Sequence, residues 1–454
     1  MDIKLFLALL AGKIVQRTLT LKGSGATAAP GLVALKIDPG LIKKLSVKNS
    51  IKSIVVSGTN GKTTTTRLIS GILENKYKII HNRQGSNLLR GIASTLVKNS
   101  SLSAKISCDL ALWEADEAAL LPISKELNIN TLLLLNLFRD QLDRYGEIDK
   151  TRKQWQEVIK KLPPSSTLIL NSDDPSLNYL SKFSKTKKIF FGIETNNIQQ
   201  PQIENVQDVK YCINCGHKLK YAVTYSSHMG KYSCPNCTFR RNAPDIYATG
   251  IKFNYDFTTQ IALAIGNERL TINYPLPGLY NTYNVLAAVA VANDIGTPKN
   301  HIIGQINSFS SAFGRYQKVK IGKAQASIFL IKNPAGANEV LRTISTHPNL
   351  SIMAILNDNI ADGRDVSWIW DTNWEILKDK IAEITVSGNR ALDLALRLKY
   401  AGIPQEKILT DSNIKTALSS AASRGKPLII LPTYTAMLEI QARLGGKGQK
   451  WHEE

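Results

Sequence analysis

The chain has 454 residues, of which 43% are hydrophobic, 20% are charged and 7% are aromatic. This apolar content can fill real hydrophobic cores and excludes wholesale disorder, and no apolar run reaches the ~18–20 residues that a membrane-spanning helix needs. The 57 Lys and Arg outnumber the 36 Asp and Glu to give a net charge of +21, which favours an anionic partner (nucleic acid, a phosphorylated metabolite or a membrane surface) or else forms a solvated basic surface.

The length predicts two or three domains. The first stretch, residues 1–50, is a basic segment with Gly and Pro breakers at 28–31 and 38–40. Its apolar run at 5–10 predicts part of an amphipathic or buried helix. Because Lys13 soon follows that run and no small-residue cleavage site is obvious, we do not expect a secretory signal.

From residue 51, short apolar runs alternate with segments of helical length. We predict strands at 51–56, 77–81, 110–113, 131–137, 167–170 and 188–191. Continuous apolar strands that alternate with helices are typical of a mostly parallel sheet covered on both faces. A more alternating stretch at 246–272 and an Ala-rich helix at 283–294 complete this α/β unit, which we expect to span residues 51–320.

Residues 58–63 follow the first predicted strand and open a helix. They are Gly58, Thr59, Asn60, Gly61, Lys62 and Thr63. Backbone N–H groups in such a loop bind phosphate, with Lys62 on the β- and γ-phosphates of a nucleotide and the Thr63 hydroxyl on Mg²⁺. The first Gly of the common pattern falls on Val56, so an ordinary strand-to-helix turn is the alternative.

Carboxylates follow the strand predicted at 110–113. Glu114, Asp116 and Glu117 would emerge at the carboxyl edge of the sheet, where open α/β sheets bind their ligands. Glu114 or Glu117 could therefore hold Mg²⁺ next to the phosphates. The alternative is an acidic helix N-terminus, which the helix dipole favours in any case.

Four of the five cysteines form two CxxC pairs separated by 18 residues. They are Cys212, Cys215, Cys234 and Cys237, and Cys108 stands alone. This spacing predicts a zinc ribbon with a closed, structural S₄ site, inserted at about 205–245, in a protein of the reducing cytosol. A redox pair or a nucleic-acid-binding ribbon using Arg240 and Arg241 is the alternative. Two nearby histidines, His217 and His228, are unnecessary for the metal and are expected to be exposed loop side chains.

Strand-like runs return beyond residue 320. They lie at 327–331, 352–356, 384–386 and 428–431, again with helices between them. This pattern predicts a second, smaller α/β domain of Rossmann-like type over residues 321–454.

Several segments resemble, in the same order, motifs of the Mur ligase superfamily, the ATP-dependent enzymes that join amino acids to muramyl peptides. The matching segments are 58–63, 136–145, 170–175, 277–284 and 314–316. The resemblance implies a Mur-ligase-like ATP-binding central domain that uses ATP and Mg²⁺. It also implies that Asn281, Asn284 and Arg315 contact the nucleotide.

The chain departs from the usual pattern of this superfamily in three ways. Gln141 stands where the family has a metal-binding His, and its amide oxygen can still ligate Mg²⁺, more weakly than a carboxylate. Gln156 stands near the position of the carbamylated Lys and cannot carry that modification. The ~50 residues before the ATP domain are too few for the usual first domain. We therefore do not expect an ordinary ligase that acts on a UDP-linked precursor.

The MurT branch of the superfamily shares these departures and the inserted zinc ribbon, and residues 29–35 and 362–371 also resemble it. The resemblance implies ATP-dependent amidation of the α-carboxyl of D-glutamate in lipid II, at the inner face of the membrane. Ammonia would come from a GatD-type glutaminase that contacts the C-terminal domain. An Asp of this chain, Asp365 or Asp362, would complete the Cys–His pair of that partner.

Two other functions remain open from the residues. One is a Mur-type ligase that adds an amino acid or another amine without a glutaminase. The other is a zinc-ribbon P-loop ATPase that binds nucleic acid, although the resemblance implies no nucleic-acid partner.

Overall fold

The computed structural model describes residues 2–21, 28–82, 86–138, 147–198, 209–254, 256–309 and 316–444. Three helices open the chain: α1 (Ile3–Leu21), α2 (Ala29–Ile37) and α3 (Leu41–Lys48). Asp2 begins α1 by accepting a hydrogen bond from the Leu5 N–H (3.1 Å), which satisfies a free donor of the first turn. Among the described residues, no helix combines the length and the apolar character required to cross a bilayer.

Strands overlap all six apolar runs that were predicted over residues 51–191, and further strands follow up to residue 274. In chain order they are β1 (Lys52–Ser57), β2 (Ile79–His81), β3 (Leu110–Ala115), β4 (Ile129–Leu134), β5 (Thr167–Asn171), β6 (Lys187–Ile193), β7 (Lys220–Ser226), β8 (Met229–Ser233), β9 (Ile246–Phe253), β10 (Thr259–Ile265) and β11 (Glu268–Tyr274). Within the described residues, nine of these strands form one sheet in the order β11-β10-β9-β6-β5-β4-β1-β3-β2. In this sheet order, all neighbouring strands between β9 and β2 pair in parallel. The pairs β9–β10 and β10–β11 are antiparallel.

Helices cover both faces of this sheet. They are α4 (Lys62–Leu73), α5 (Leu89–Asn99), α6 (Leu120–Glu126), α7 (Glu147–Lys160), α8 (Pro175–Leu180), α9 (Leu279–Asp294) and α10 (Lys299–Asn307). Successive residues of β1 point to opposite faces: Ile54 and Val56 pack in the core with α4 and α9, whereas Val55 packs in the core with α5 and α7. Because both faces are buried, the strands read as continuous apolar runs.

A second sheet follows in the chain. Its strands are β12 (Tyr316–Ile321), β13 (Ala324–Phe329), β14 (Leu350–Ile355), β15 (Ile381–Ser387), β16 (Ile408–Thr410) and β17 (Leu428–Pro432). They pair in the order β12-β13-β17-β14-β15-β16, with β12 antiparallel and the others parallel. The associated helices are α11 (Pro334–Ser345), α12 (Ala391–Tyr400), α13 (Ile414–Ser423) and α14 (Tyr434–Arg443).

The predicted α/β fold class is confirmed by this architecture. The hairpin β7–β8 stands apart from both sheets and lies in the chain between β6 and β9, where an insertion was predicted. The predicted domain boundary near residue 320 stays a prediction. The last strand of the first sheet ends at Tyr274, and the first strand of the second begins at Tyr316.

Candidate functional site

The predicted phosphate loop connects β1 to α4 at the carboxyl edge of the first sheet. Gly58 has φ +150° and Gly61 has φ +90°, backbone conformations that a side chain disfavours. A Cβ on Gly58 would lie 2.8 Å from Leu135 Cβ, and a Cβ on Gly61 would collide with the Asn284 side chain. Glycine at both positions is therefore required by space as well as by conformation.

Residues that follow β4 hold the loop in shape. The Asn60 N–H donates to Asn136 Oδ1 (2.9 Å), and Asn136 Nδ2 donates back to the Asn60 carbonyl (3.0 Å). The Phe138 N–H donates to Thr59 Oγ1 (3.0 Å), and that hydroxyl donates to the Phe138 carbonyl (3.2 Å). The loop is thus ordered before any phosphate arrives, which lowers the entropy cost of binding.

Lys62 and Thr63 each contact one of the predicted carboxylates. Lys62 Nζ donates to Glu117 Oε2 (2.9 Å) and to the Gly58 carbonyl (2.6 Å). Thr63 Oγ1 donates to Glu114 Oε1 (2.9 Å). Burial raises the pKa of the neighbouring Asp116, and the Lys62 ammonium opposes that shift. A hydroxyl and a buried carboxylate side by side are the hard oxygen donors that Mg²⁺ takes, so the residues fit that ion.

Two asparagines near β2 orient Glu114, and reasoning from the sequence missed both. Asn87 Nδ2 donates to Glu114 Oε1 (2.8 Å). Asn82 donates to the Glu114 carbonyl (2.9 Å) and accepts from the Glu114 N–H (2.9 Å). Asn87 therefore fixes the carboxylate beside Thr63, and Asn82 fixes the backbone that carries it.

The two asparagines predicted to contact the nucleotide lie beside the loop on α9. Thr65 Oγ1 donates to Asn284 Oδ1 (3.2 Å), and Asn284 Nδ2 donates to Asn281 Oδ1 (3.1 Å). Asn281 Nδ2 donates to the Pro277 carbonyl (2.7 Å). This chain of hydrogen bonds fastens the start of α9 to the first turn of α4.

A cleft separates the loop from the second sheet, and residues of both line it. The residues from the second sheet and its α11 include Tyr316, Lys332, Asn333 and Glu339. Across the cleft, Ser226 Oγ donates to Glu339 Oε1 (2.6 Å). Helix α11 begins here, with Asn333 Oδ1 accepting from the Gly336 N–H (2.8 Å), so its positive end is at the cleft. Tyr316 belongs to the matching segment 314–316, but the sequence offered no signal for Lys332, Asn333 and Glu339, because they meet the loop only through the fold.

The remaining predicted site residues are separate from this cleft or lie outside the described residues. Gln141 and Arg315 lie outside the described residues. Asp362 and Asp365 lie between β14 and β15 of the second sheet, and the four cysteines form a cluster of their own.

The cysteine cluster matches the predicted metal site. The Sγ atoms of Cys212, Cys215, Cys234 and Cys237 all lie within 4.8 Å of one another, and two of the pairs are 3.6 and 3.4 Å apart. Four thiolates at ~2.3 Å from a tetrahedral zinc ion are ~3.8 Å apart, so the donor set fits zinc. A hydrogen bond from the backbone at His217 lowers the pKa of Cys215 to about 6, whereas burial raises that of Cys212 to about 12.

The expectation that both nearby histidines are exposed is wrong for His228. His217 is exposed, but His228 is fully buried, with Nε2 3.5 Å from Asp174 Oδ2 and its ring 4.7 Å from the Phe138 ring. The reason is that the turn between β7 and β8 packs on the first sheet instead of projecting into solvent.

Arg241 ties the ribbon to the first sheet. Its Nε lies 2.6 Å from Asp173 Oδ1, and Nη1 lies 2.5 Å from Glu194 Oε1. Asp173 is fully buried and also accepts from the Tyr283 hydroxyl on α9 (2.8 Å). Burial alone would lower the pKa of Arg241, but the two carboxylates outweigh it and raise that pKa.

The two candidate aspartates of the second sheet differ in their surroundings. Asp362 Oδ1 accepts from the Thr435 N–H (2.7 Å), and Oδ2 accepts from the hydroxyl of the same residue, so its carboxylate caps α14. Asp365 is exposed and accepts from the Ser367 N–H (2.8 Å). A hydrogen bond from Ser367 lowers the pKa of Asp365, which keeps the carboxylate charged.

Two family profiles match the chain: the Mur ligase middle domain over residues 56–239 and the MurT ligase C-terminal domain over residues 330–437. A protein of Streptococcus pneumoniae, named lipid II isoglutaminyl synthase (glutamine-hydrolyzing) subunit MurT, is 36% identical over 98% of this chain and 98% of its own length. A Staphylococcus aureus protein of the same name is 33% identical over 95% and 96%.

Solved structures share the fold at lower identity. A pseudomurein peptide ligase type C of Methanothermus fervidus aligns with TM-score 0.68 at 21% identity, covering 88% of this chain and 80% of that one. MurF of Acinetobacter baumannii aligns with TM-score 0.68 at 17% identity, covering 92% and 81%. These likenesses support the Mur-ligase-like fold alone.

Proposed function

The chain belongs to the MurT family of Mur-type ligases, and from this premise we propose that it amidates the α-carboxyl of D-glutamate in the stem peptide of lipid II. ATP activates the carboxylate, and ammonia from a glutaminase subunit replaces the activating group. The observation that carries the proposal is the loop of Lys62 and Thr63, held against Glu117 and Glu114 at a cleft between the two sheets.

The residues of the cleft can carry out phosphoryl transfer to a carboxylate. The loop N–H groups and the positive end of α4 bind the phosphates. Lys62 exchanges its contacts with Glu117 and the Gly58 carbonyl for phosphate oxygens, so its charge follows the group that is transferred. The substrate carboxylate attacks the γ-phosphorus, ADP leaves, and an acyl phosphate forms.

The second half-reaction needs an amine and a dry cleft. Ammonia adds to the acyl carbon, the C–O bond to phosphate breaks with its electron pair, and the nitrogen loses a proton to give the amide. Contact between Ser226 and Glu339 across the cleft supports closure of the second sheet over the reacting groups. Gln156, which lies next to Trp155 on α7, cannot carry a carbamate, so the substrate carboxylate is positioned without one.

Two ions accompany this chemistry in the proposal. Glu114 and Thr63 would hold Mg²⁺, which supplies positive charge to the phosphates when bound. The contact of Glu114 with the Thr63 hydroxyl, and of Glu117 with Lys62, favours Glu114 as the metal ligand of the two. The four cysteines would hold a structural Zn²⁺.

We propose Asp365 as the residue that completes the catalytic pair of the glutaminase. The carboxylate of Asp362 is occupied by Thr435, whereas Asp365 is exposed and charged, so it can reach the histidine of a second protein. An aspartate in that position orients the imidazole and stabilises its protonated form.

An exposed apolar patch beside Asp365 supports docking of a protein on this face. The 3₁₀ turn Ser367–Trp370 starts two residues after Asp365, and the Trp370 ring lies 5.7 Å from the Tyr400 ring on α12. Leu392, Leu396 and Tyr400 lie on one side of α12 and are exposed, as is Trp370. Exposed Trp and Tyr side chains in contact with each other are typical of an interface centre, where aromatic residues are enriched. We call Trp370, Leu392, Leu396 and Tyr400 the α12 patch.

The test is to co-express the chain with a GatD-type glutaminase and supply ATP, glutamine and lipid II. The expected product is lighter than the substrate by about one mass unit, because NH₂ replaces OH, and ammonium should replace glutamine when the glutaminase is left out. If only an added amino acid changes the product mass, the chain is a ligase without a glutaminase and the proposal is wrong. Steeply salt-dependent binding to RNA or DNA would instead favour the nucleic-acid-binding ATPase.

A further inference from the structure

Helix α1 exposes a row of large apolar side chains. Their spacing of three, four and seven residues places them on one face of the helix. They are Ile3 (72% exposed), Leu7 (47%), Leu10 (37%), Ile14 (56%) and Leu21 (89%). We call this row the α1 stripe.

The α1 stripe does not hold the helix on the protein. The opposite face of α1 does so by burying Leu5, Ala8 and Leu9 in the core with α2 and α5. Single exposed Leu or Ile residues are ordinary on a protein surface, but a continuous row along a helix marks a surface that something else covers.

The surroundings of the stripe are basic. The described residues from 2 to 48 include Lys4, Lys13, Arg17, Lys36, Lys43, Lys44 and Lys48. The acidic residues in the same range are Asp2 and Asp38, and the carboxylates of both lie 2.7 Å from Lys44 Nζ. Arg17 lies on the same face as the stripe, in the gap between Ile14 and Leu21. The three-helix segment that carries the apolar stripe is therefore basic.

A groove continues this surface between the first turns of α1 and helix α3. Leu5, Phe6, Val47 and Leu102 line a cavity of about 530 Å³, together with three lysines and one acid: Lys43, Lys44, Lys48 and Asp2. An apolar cavity with an excess of cations has the polarity that complements an acyl chain below an anionic headgroup.

We infer that the α1 stripe docks the protein on an anionic lipid bilayer, with α1 lying in the plane of the interface. Ile, Leu and Val side chains enter the acyl boundary, while Arg17 and the flanking lysines contact lipid phosphates. A second copy of α1 fits less well, because Lys4 and Arg17 would then face like charges with no acid on either helix to pair them.

The inference rests on the proposed function only in giving docking a purpose, since a lipid-linked substrate stays in the membrane. The binding test needs no ATP, glutamine or lipid II. Its failure therefore leaves the amidation proposal standing, and a failure of amidation leaves the docking result intact.

The experiment is flotation of the full-length chain with vesicles of phosphatidylglycerol and phosphatidylcholine, and with vesicles of phosphatidylcholine alone. The stripe variant carries Ile3→Ser, Leu7→Ser and Ile14→Ser. A matched control carries Ile360→Ser, Leu392→Ser and Leu396→Ser, which are also exposed. Since all six side chains are exposed, the variants should fold, which the unfolding temperature checks.

The stripe variant should bind the anionic vesicles about tenfold more weakly or worse, while the control should bind like the unmodified chain. Lys4→Gln with Arg17→Gln should weaken binding by about fivefold per charge and only on the anionic vesicles. Equal flotation of the stripe variant and the control would overturn the inference. So would a dimer of the unmodified chain that becomes a monomer in the stripe variant, since the occupant would then be a second copy.

Discussion

At the scale of single residues, the site depends on where one ammonium group is held. Lys62 Nζ lies between Glu117 and the Gly58 carbonyl, so it is positioned at the loop before a phosphate binds. Lys62→Met should therefore lower the rate of ATP-dependent amidation by about 10²–10³-fold, the usual loss when one group that stabilises transition-state charge is removed. The measurement is product formation with ammonium, which bypasses the glutaminase.

The control for this change is Lys52→Met, at the start of the strand that leads into the loop, where the side chain is exposed. It should leave the rate unchanged. A Lys62→Met protein that amidates at the normal rate would show that the ammonium is a structural tie for the loop and not part of the reaction.

Replacing Asp365 should affect the glutamine-dependent activity, whereas replacing Asp362 should affect stability. Asp365→Asn should abolish most glutamine-dependent amidation, by about 10³–10⁴-fold as when the Asp of a comparable triad is changed, and leave ammonium-dependent amidation intact. Asp362→Asn should lower the free energy of unfolding by about 1 kcal/mol, because it weakens the cap of α14. Amidation rates with glutamine and with ammonium, together with urea unfolding, distinguish the two variants. The reverse pattern would show that Asp362 is the residue of this chain that completes the catalytic pair of the glutaminase.

At the scale of elements, a buried ion pair connects the ribbon to the first sheet. Arg241→Met leaves the fully buried Asp173 without its counter-charge, so it should lower the free energy of unfolding by about 3–5 kcal/mol. The double variant with Asp173→Asn should regain part of that loss. Urea unfolding measures both, and Arg240→Met, at the exposed neighbouring position, is the matched control; equal stability of the two arginine variants would contradict this account.

The ribbon itself should depend on metal. Cys215→Ser should lower the zinc content of the purified chain and open residues 209–245 to protease, because metal binding supplies the folding energy of such a small unit. The isolated Cys108 offers the control, since Cys108→Ser should retain the metal. Nucleotide binding should survive Cys215→Ser, because the loop at 58–63 is held by Asn136 and Phe138; zinc analysis that finds no metal in the unmodified chain would contradict the site.

Sites whose residues lie close together in the chain could be predicted from the sequence, and sites assembled by the fold could not. The phosphate loop and the CxxC pairs were found because their chemistry lies within a few neighbouring residues. Asn82 and Asn87 were not found as site residues, because they meet Glu114 through the pairing of β2 with β3, which no local pattern encodes. His228 was misjudged for the same reason, since its burial depends on how the β7–β8 turn packs on the sheet.

At the scale of the whole molecule, the surfaces that the chain exposes have distinct chemistries. The cleft between the sheets is lined by the phosphate loop with both polar and apolar side chains, the α1 stripe is apolar in a basic segment, and the α12 patch is an aromatic and aliphatic surface. A net charge of +21 contributes to the first two through phosphate and lipid attraction. This separation would let the chain bind nucleotide, membrane and a protein partner at the same time.

The α12 patch leads to a prediction about assembly. Leu396→Ser with Tyr400→Ser should weaken the complex with the glutaminase by about tenfold or more, mostly through faster dissociation, because Tyr is among the residues that carry most of the binding energy at an interface centre and Leu396 adds apolar area. Ammonium-dependent amidation should not change, since the four residues of the patch are not among the described residues that line the cleft at the loop. Binding kinetics on immobilised glutaminase give the first quantity, with Ile3→Ser, Leu7→Ser and Ile14→Ser on α1 as the matched apolar control. If the α1 variant weakens the complex and the α12 variant does not, the protein partner occupies the N-terminal helix, and both surface assignments must be exchanged.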